Sequence, residues 1–131
     1  MDVIIQKIHQ LTPTIRAFEL VAANGTELPN FEAGAHIDVH LPNGMVRQYS
    51  LCQNPNDEGK FRLGILRDPE SRGGSISAFD EIKDGMQIQV SEPKNLFPLL
   101  KAKHSVLIGG GIGITPLITM AYQLAHEGES F

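Results

Sequence analysis

Residues 35–53, AHIDVHLPNGMVRQYSLCQ, decide the fold class. Ile37, Val39 and Leu41 share one face of an extended segment, while His36, Asp38 and His40 share the other. Asn43-Gly44 is a turn signal, and 45–53 reads as the returning strand. Outward from this hairpin, residues 3–9, 14–21, 61–67 and 86–90 are further candidate strands. In the third of these, Phe61, Leu63 and Ile65 line one face. Asn24-Gly25 supplies a hairpin turn after the second. Short strands separated by turns predict a mainly β body, a small antiparallel Greek-key barrel. One short helix interrupts it at 75–82, where Ile76, Phe79 and Ile82 recur at spacings of three and Asp84-Gly85 ends the segment. Ser75 is its expected N-cap.

The pattern changes near Lys103. Val106-Leu107-Ile108 is an apolar run that fits a buried parallel strand. A glycine turn at 109–113 comes next, and then a helix over 114–126, with Pro116 in its first turn and Gly128 just past its end. One βα unit cannot cover both faces of its strand. Residues 99–131 are therefore expected to open a truncated, doubly wound nucleotide-binding domain, after a β domain at 1–98.

Composition narrows the function classes. The 131 residues suit one domain, or one plus part of a second, and 13 glycines with 8 prolines agree with a turn-rich body. A formal net charge of -4 gives no general attraction to nucleic acid or anionic membranes. The single cysteine, Cys52, can form neither an internal disulfide nor a four-cysteine zinc or iron–sulfur site. Residues 1–5, MDVII, have no signal-peptide character, and no apolar run approaches a membrane span. A cytoplasmic location is expected.

Three clusters carry chemistry. In the first, Arg47-Gln48-Tyr49-Ser50, a guanidinium can clamp a phosphate, a tyrosine ring can lie on a planar group, and a serine can bond a ring nitrogen. Taken alone, it reads more readily as an ordinary strand with a half-exposed Arg and a packed Tyr. In the second, Arg72-Gly73-Gly74-Ser75 opens the short helix, where backbone N–H groups attract anions; alone, it is a capped turn. In the third, Gly109-Gly110-Gly111-Ile112-Gly113-Ile114-Thr115-Pro116 lies between strand and helix, the setting of a dinucleotide pyrophosphate. It departs from the G-x-G-x-x-G spacing, with Thr115 where the last glycine would stand. His36, Asp38 and His40 could face a metal, but a solvated polar face is the simpler reading.

Arg47-x-Tyr49-Ser50, then Gly73-Gly74-Ser75, then Gly109 to Pro116, taken in this order, resemble the ferredoxin-NADP reductase superfamily. The strings RQYSLC, ILRDPESRGGSIS and SEPKNLFPL are most similar to the phthalate dioxygenase reductase and vanillate demethylase reductase type of flavoprotein. The resemblance implies a flavin-binding barrel in which Arg47 holds the phosphate, Tyr49 contacts the isoalloxazine and Ser50 sits near the reactive nitrogen. It also implies Arg67 on the opposite side of the flavin, phosphate contacts from Arg72, Gly73, Gly74 and Ser75, and a dinucleotide at Gly109, Gly110, Gly111 and Gly113. Thr115 would stand where nicotinamide meets flavin, which makes Ser50 and Thr115 the expected catalytic residues.

The implied cofactor is FMN, with FAD as the alternative, since no aromatic platform for an adenine comes after Ser50. NADH or NADPH is the implied electron donor. The implied partners are an NAD(P)-binding domain, a [2Fe–2S] domain or subunit that this chain's one cysteine cannot provide, and an oxygenase component. The implied reaction is hydride transfer to flavin and then single-electron transfer to iron–sulfur. The 131-residue chain alone is expected to turn over weakly or not at all. A flavin- or protein-binding barrel without turnover is the competing reading, and dimerisation through an unpaired 106–108 strand is a further one.

Overall fold

The computed structural model describes residues 1–131. Its elements run β1 (Asp2–Thr12), β2 (Ile15–Ala22), β3 (His36–His40), β4 (Val46–Ser50), β5 (Lys60–Leu66), α1 (Gly74–Glu81), β6 (Gln87–Gln89), a 3-10 turn (Gly111–Gly113) and α2 (Ile114–Glu127). Every strand expected from the alternating pattern at 3–90 forms, with boundaries shifted by one to three residues. All ladders are antiparallel.

The expected barrel needs a correction. The strands form a four-stranded sheet in the order β5-β2-β1-β6 and a separate ribbon, β3-β4. No continuous ladder joins them. Isolated bridges do: Val39 to Val90 and His36 to Lys94 at one seam, and Leu51 to Leu63 at the other.

The core lies between the two sheets. Ile5, Phe18, Leu20, Ile37, Leu51, Phe61 and Ile65 are each at most 1% exposed, and each such side chain stabilises the fold by roughly 1.5–3 kcal/mol. Phe31 meets Phe61 edge-on, with ring centroids 6.2 Å apart. The β3–β4 turn agrees with the sequence expectation. Gly44 takes φ +83°, a left-handed conformation open to glycine. Leu41 donates to the Met45 carbonyl at 2.8 Å.

Three local expectations are corrected. Asn24-Gly25 ends β2 but makes no hairpin, because both edges of β2 are already taken by β1 and β5. The chain instead runs on to a single bridge from Leu28 to Gly59. The N-cap of α1 is Gly73, at φ +106°, not Ser75. Residues 106–108 form no strand: with no neighbouring strand their peptide groups have no ladder to join. Val106 is 72% and Ile108 86% exposed, against the expected burial.

Helix α2 forms as expected and ends at Gly128, φ +68°. Leu117 and Met120 pack on Ala33 in a small second core, with Leu99 and Leu107 beside it. This packing holds the start of α2 against the sheets.

Candidate functional site

A cleft of about 480 Å³ opens where β4, β5, the loop before α1 and the start of α2 meet. It is lined by Arg47, Gln48, Tyr49 and Ser50 from β4, Gly64 and Leu66 from β5, Asp68, Ser71 and Ser75 at the helix entry, and Ile112, Gly113, Thr115 and Pro116 from the glycine turn. The three clusters picked out along the sequence therefore converge on one space. Four consecutive β4 residues border it because β4 is an edge strand, which presents backbone as well as alternate side chains.

The Arg47 guanidinium meets no carboxylate. Its Nη1 donates to the Val46 carbonyl at 2.8 Å, and Nη2 approaches Met45 Sδ at 3.7 Å. It is an unneutralised cation beside the start of α1. Its stem lies across Gly74, where a Cβ would come within 2.7 Å of Arg47 Nε and 2.9 Å of Cγ. The first two clusters thus touch, and glycine is what allows it. Asn43 locks the same corner: its Nδ2 donates to the Gly73 carbonyl at 3.1 Å, and its Oδ1 accepts from the Met45 N–H at 3.1 Å.

At the helix entry, Ser71 Oγ accepts the N–H groups of Gly73 (3.1 Å) and Ser75 (3.2 Å). Ser75 Oγ accepts the Asp68 N–H at 3.2 Å, so this side chain closes the loop on itself. No acidic residue occupies the first turn of α1. That leaves its positive end open to an anion.

Tyr49 is half-buried, and burial pushes its phenol above the ordinary tyrosine value, with the Arg47 charge pulling the other way. It stays a neutral donor at physiological pH. Thr115 turns its hydroxyl onto the Ile112 carbonyl at 3.0 Å. Its methyl faces Gly64, where a Cβ would stand 3.1 Å from Thr115 Cγ2.

The remaining expected residues lie elsewhere. Arg67 is held by Asp80 through Nε–Oδ1 and Nη2–Oδ2 bonds of 3.0 Å each, so its guanidinium is turned to α1. The Arg72 side chain is exposed. Gly109 borders a different, apolar groove with Val106, Ile114, Leu117 and Phe131. Gly111 lines a neighbouring pocket with Leu11, Cys52 and Tyr122, and Gly110 stands in open space. Sequence reading missed Gly64, Leu66, Asp68 and Ser71. Only Gly64 carried a signal, as a glycine inside an alternating strand, which marks a close backbone approach.

The residues present fit a phosphate-bearing planar group such as a flavin. The cleft is within the usual range for small-ligand sites, roughly 300–1,000 Å³. One wall offers a guanidinium that meets no carboxylate beside a helix start with no acidic residue in its first turn, which suits a phosphate.

Residues 2–98 match the family model described as the oxidoreductase FAD-binding domain. The chain belongs to this family. It is 52% identical over 128 residues to the vanillate O-demethylase oxidoreductase of Acinetobacter baylyi, covering 97% of this chain and 40% of that protein. It is 48% identical over 121 residues to the phthalate dioxygenase reductase of Burkholderia cepacia, covering 92% and 38%. The solved phthalate dioxygenase reductase, described as a modular structure for electron transfer from pyridine nucleotides to [2Fe–2S], superposes with a TM-score of 0.95 at 43% identity. That match covers 99% of this chain and 41% of that one. The chain thus spans about two fifths of the length of these curated relatives.

Proposed function

We propose that this chain is the flavin-binding part of the reductase component of an oxygenase system, and that its flavin is FMN. The observation that carries the reading is the convergence of the Arg47, Ser75 and Thr115 segments on one cleft. A bound flavin supplies the redox chemistry, taking hydride from NADH or NADPH and releasing single electrons to an iron–sulfur centre. The chain's own residues bind and orient it. Arg47 and the α1 start hold the phosphate. Tyr49 would offer its ring as a contact surface, and Ser50 and Thr115, which line the cleft, would face the flavin's reacting atoms.

FMN is favoured over FAD by the residues just after Ser50. Leu51 is fully buried, and Gln53 is committed to β5, donating to the Lys60 carbonyl at 2.7 Å and accepting from the Arg62 N–H at 2.9 Å. Neither offers a stacking surface to an adenine. We assign residues 1–98 to the flavin domain and 99–131 to the opening of an NAD(P)-binding domain, a reading supported by the greater length of the relatives. The oxygenase partner and the [2Fe–2S] partner belong to the same proposal. Efficient NADH turnover is not expected of these 131 residues alone. No helix is long and apolar enough to cross a membrane. The cytoplasm is the proposed home, and a single half-buried cysteine left as a free thiol suits a reducing compartment.

The test is the visible spectrum of the purified chain after excess FMN and washing, with mass spectrometry of the retained cofactor. A flavin spectrum with the mass of FMN is expected. A folded, colourless protein would overturn the reading, and retained FAD would overturn the choice of FMN.

A further inference from the structure

Thr119 is fully buried, although it is polar and lies outside the cleft lining. A threonine inside a helix commonly turns its hydroxyl onto the carbonyl a turn earlier, and Thr119 Oγ1 donates to the Pro116 carbonyl at 2.6 Å. Its second bond is not local. The same oxygen accepts the Gly34 N–H at 2.9 Å, from 85 residues upstream. Gly34 sits at φ +92°, and a Cβ there would fall 2.0 Å from the Phe97 carbonyl oxygen and 2.9 Å from Met120 Cε. Only glycine permits this approach. Asn95 Nδ2 donates to the Ala33 carbonyl at 3.0 Å and fixes the same loop from another side.

Both ends of this connection lead to the cleft. From Gly34 the chain passes Ala35, whose carbonyl accepts the Leu51 N–H at 2.9 Å, and enters β3, where His36 pairs with Ser50. From Pro116 it is one residue to Thr115, and both line the cleft. We propose that Thr119 is a positioning residue whose hydroxyl ties the Ser50 wall to the Thr115 wall and so sets the width of the flavin cleft. The proposal rests on the flavin reading above. Valine would fill the same volume but leave the Gly34 N–H and the Pro116 carbonyl without their partner, whereas serine keeps both bonds.

The experiment titrates the chain and its Thr119→Ser and Thr119→Val variants with FMN. It then measures iodide quenching of bound-flavin fluorescence at saturation, well below each melting temperature. Thr119→Ser is expected to bind within about twofold of the parent, and Thr119→Val about tenfold more weakly with greater quenching, the scale of one buried hydrogen bond. Leu124→Ala, which empties a buried site on the same helix away from the cleft, should lower the melting temperature and leave quenching unchanged. If Thr119→Val does not fold, Thr119→Ala, which cannot clash, carries the same expectation. Parental affinity and quenching in the hydroxyl-free variant, or equal quenching in Leu124→Ala, would reduce Thr119 to a packing residue. A parent chain that binds no flavin would bring down the flavin reading itself, and this inference with it.

Discussion

At the scale of single residues, the contact between Arg47 and Gly74 separates binding from stability. A methyl at position 74 meets the flexible Arg47 side chain rather than backbone, so the fold accommodates it and the guanidinium moves. Alanine is also the better helix former by up to about 1 kcal/mol. Gly74→Ala is therefore expected to keep or raise the melting temperature while weakening FMN binding about tenfold. Arg47→Ala should weaken it about 10- to 100-fold, since charge-assisted hydrogen bonds contribute roughly 1.5–3 kcal/mol. Flavin titration beside thermal melts checks both. Equal losses of stability and affinity in Gly74→Ala would show that the glycine serves the helix and not the arginine.

At the scale of elements, the connector after β6 is fastened to β3. His36 and Lys94 exchange backbone hydrogen bonds of 2.9 Å in both directions, and Lys94 Nζ pairs with Asp38. The Lys94 hydrogen bond, with help from Gln48 and the nearby charges of Lys94 and His36, holds the Asp38 carboxyl below its ordinary value of 3.8 against desolvation. A carboxylate whose folded pKa is depressed adds stability that is present above its unfolded pKa and fades as pH falls through the folded one. Asp38→Asn should melt slightly below the parent at pH 7, and the gap should close below pH 3.8. The gap is small because the pair is exposed. A gap that persists in strong acid would assign the effect to packing.

The strands at this scale were legible in sequence because alternation is a local signal: Ile37, Val39, Phe61, Leu63 and Ile65 all face the core as their spacing predicts. Partner choice was not legible, being non-local. Asn24-Gly25 has the chemistry of a hairpin turn, yet β2 had no free edge to receive another strand. The apolar run 106–108 has strand composition without a neighbour to pair with. Arg67 stands on the expected strand, but Asp80, thirteen residues on, captures its side chain, and no spacing rule announces that.

At the scale of the whole molecule, the convergence of Arg47, Ser75 and Thr115 could be anticipated only from the order of the motifs, since nothing in their separations states that they meet. The molecule also leaves apolar surface uncovered: Val106 and Phe131 line one groove and are each more than half exposed, and Ile108, next in the chain to that lining, is more exposed still. Surface of this kind favours association. Size-exclusion elution of the chain is expected to move to larger apparent mass as concentration rises, and Val106→Lys to suppress the shift. An elution volume independent of concentration would show the groove to be inert in isolation.

The two-sheet construction has one more consequence. The cleft takes Arg47, Tyr49 and Ser50 from the ribbon and Gly64 and Leu66 from the larger sheet, and beside it those sheets are joined by the Leu51–Leu63 bridge and by the Gln53 side chain bonded to the β5 backbone at Lys60 and Arg62. A molecule lodged there would act as a rivet across this short seam, so that letting go of the ligand and unzipping the ribbon would become coupled motions.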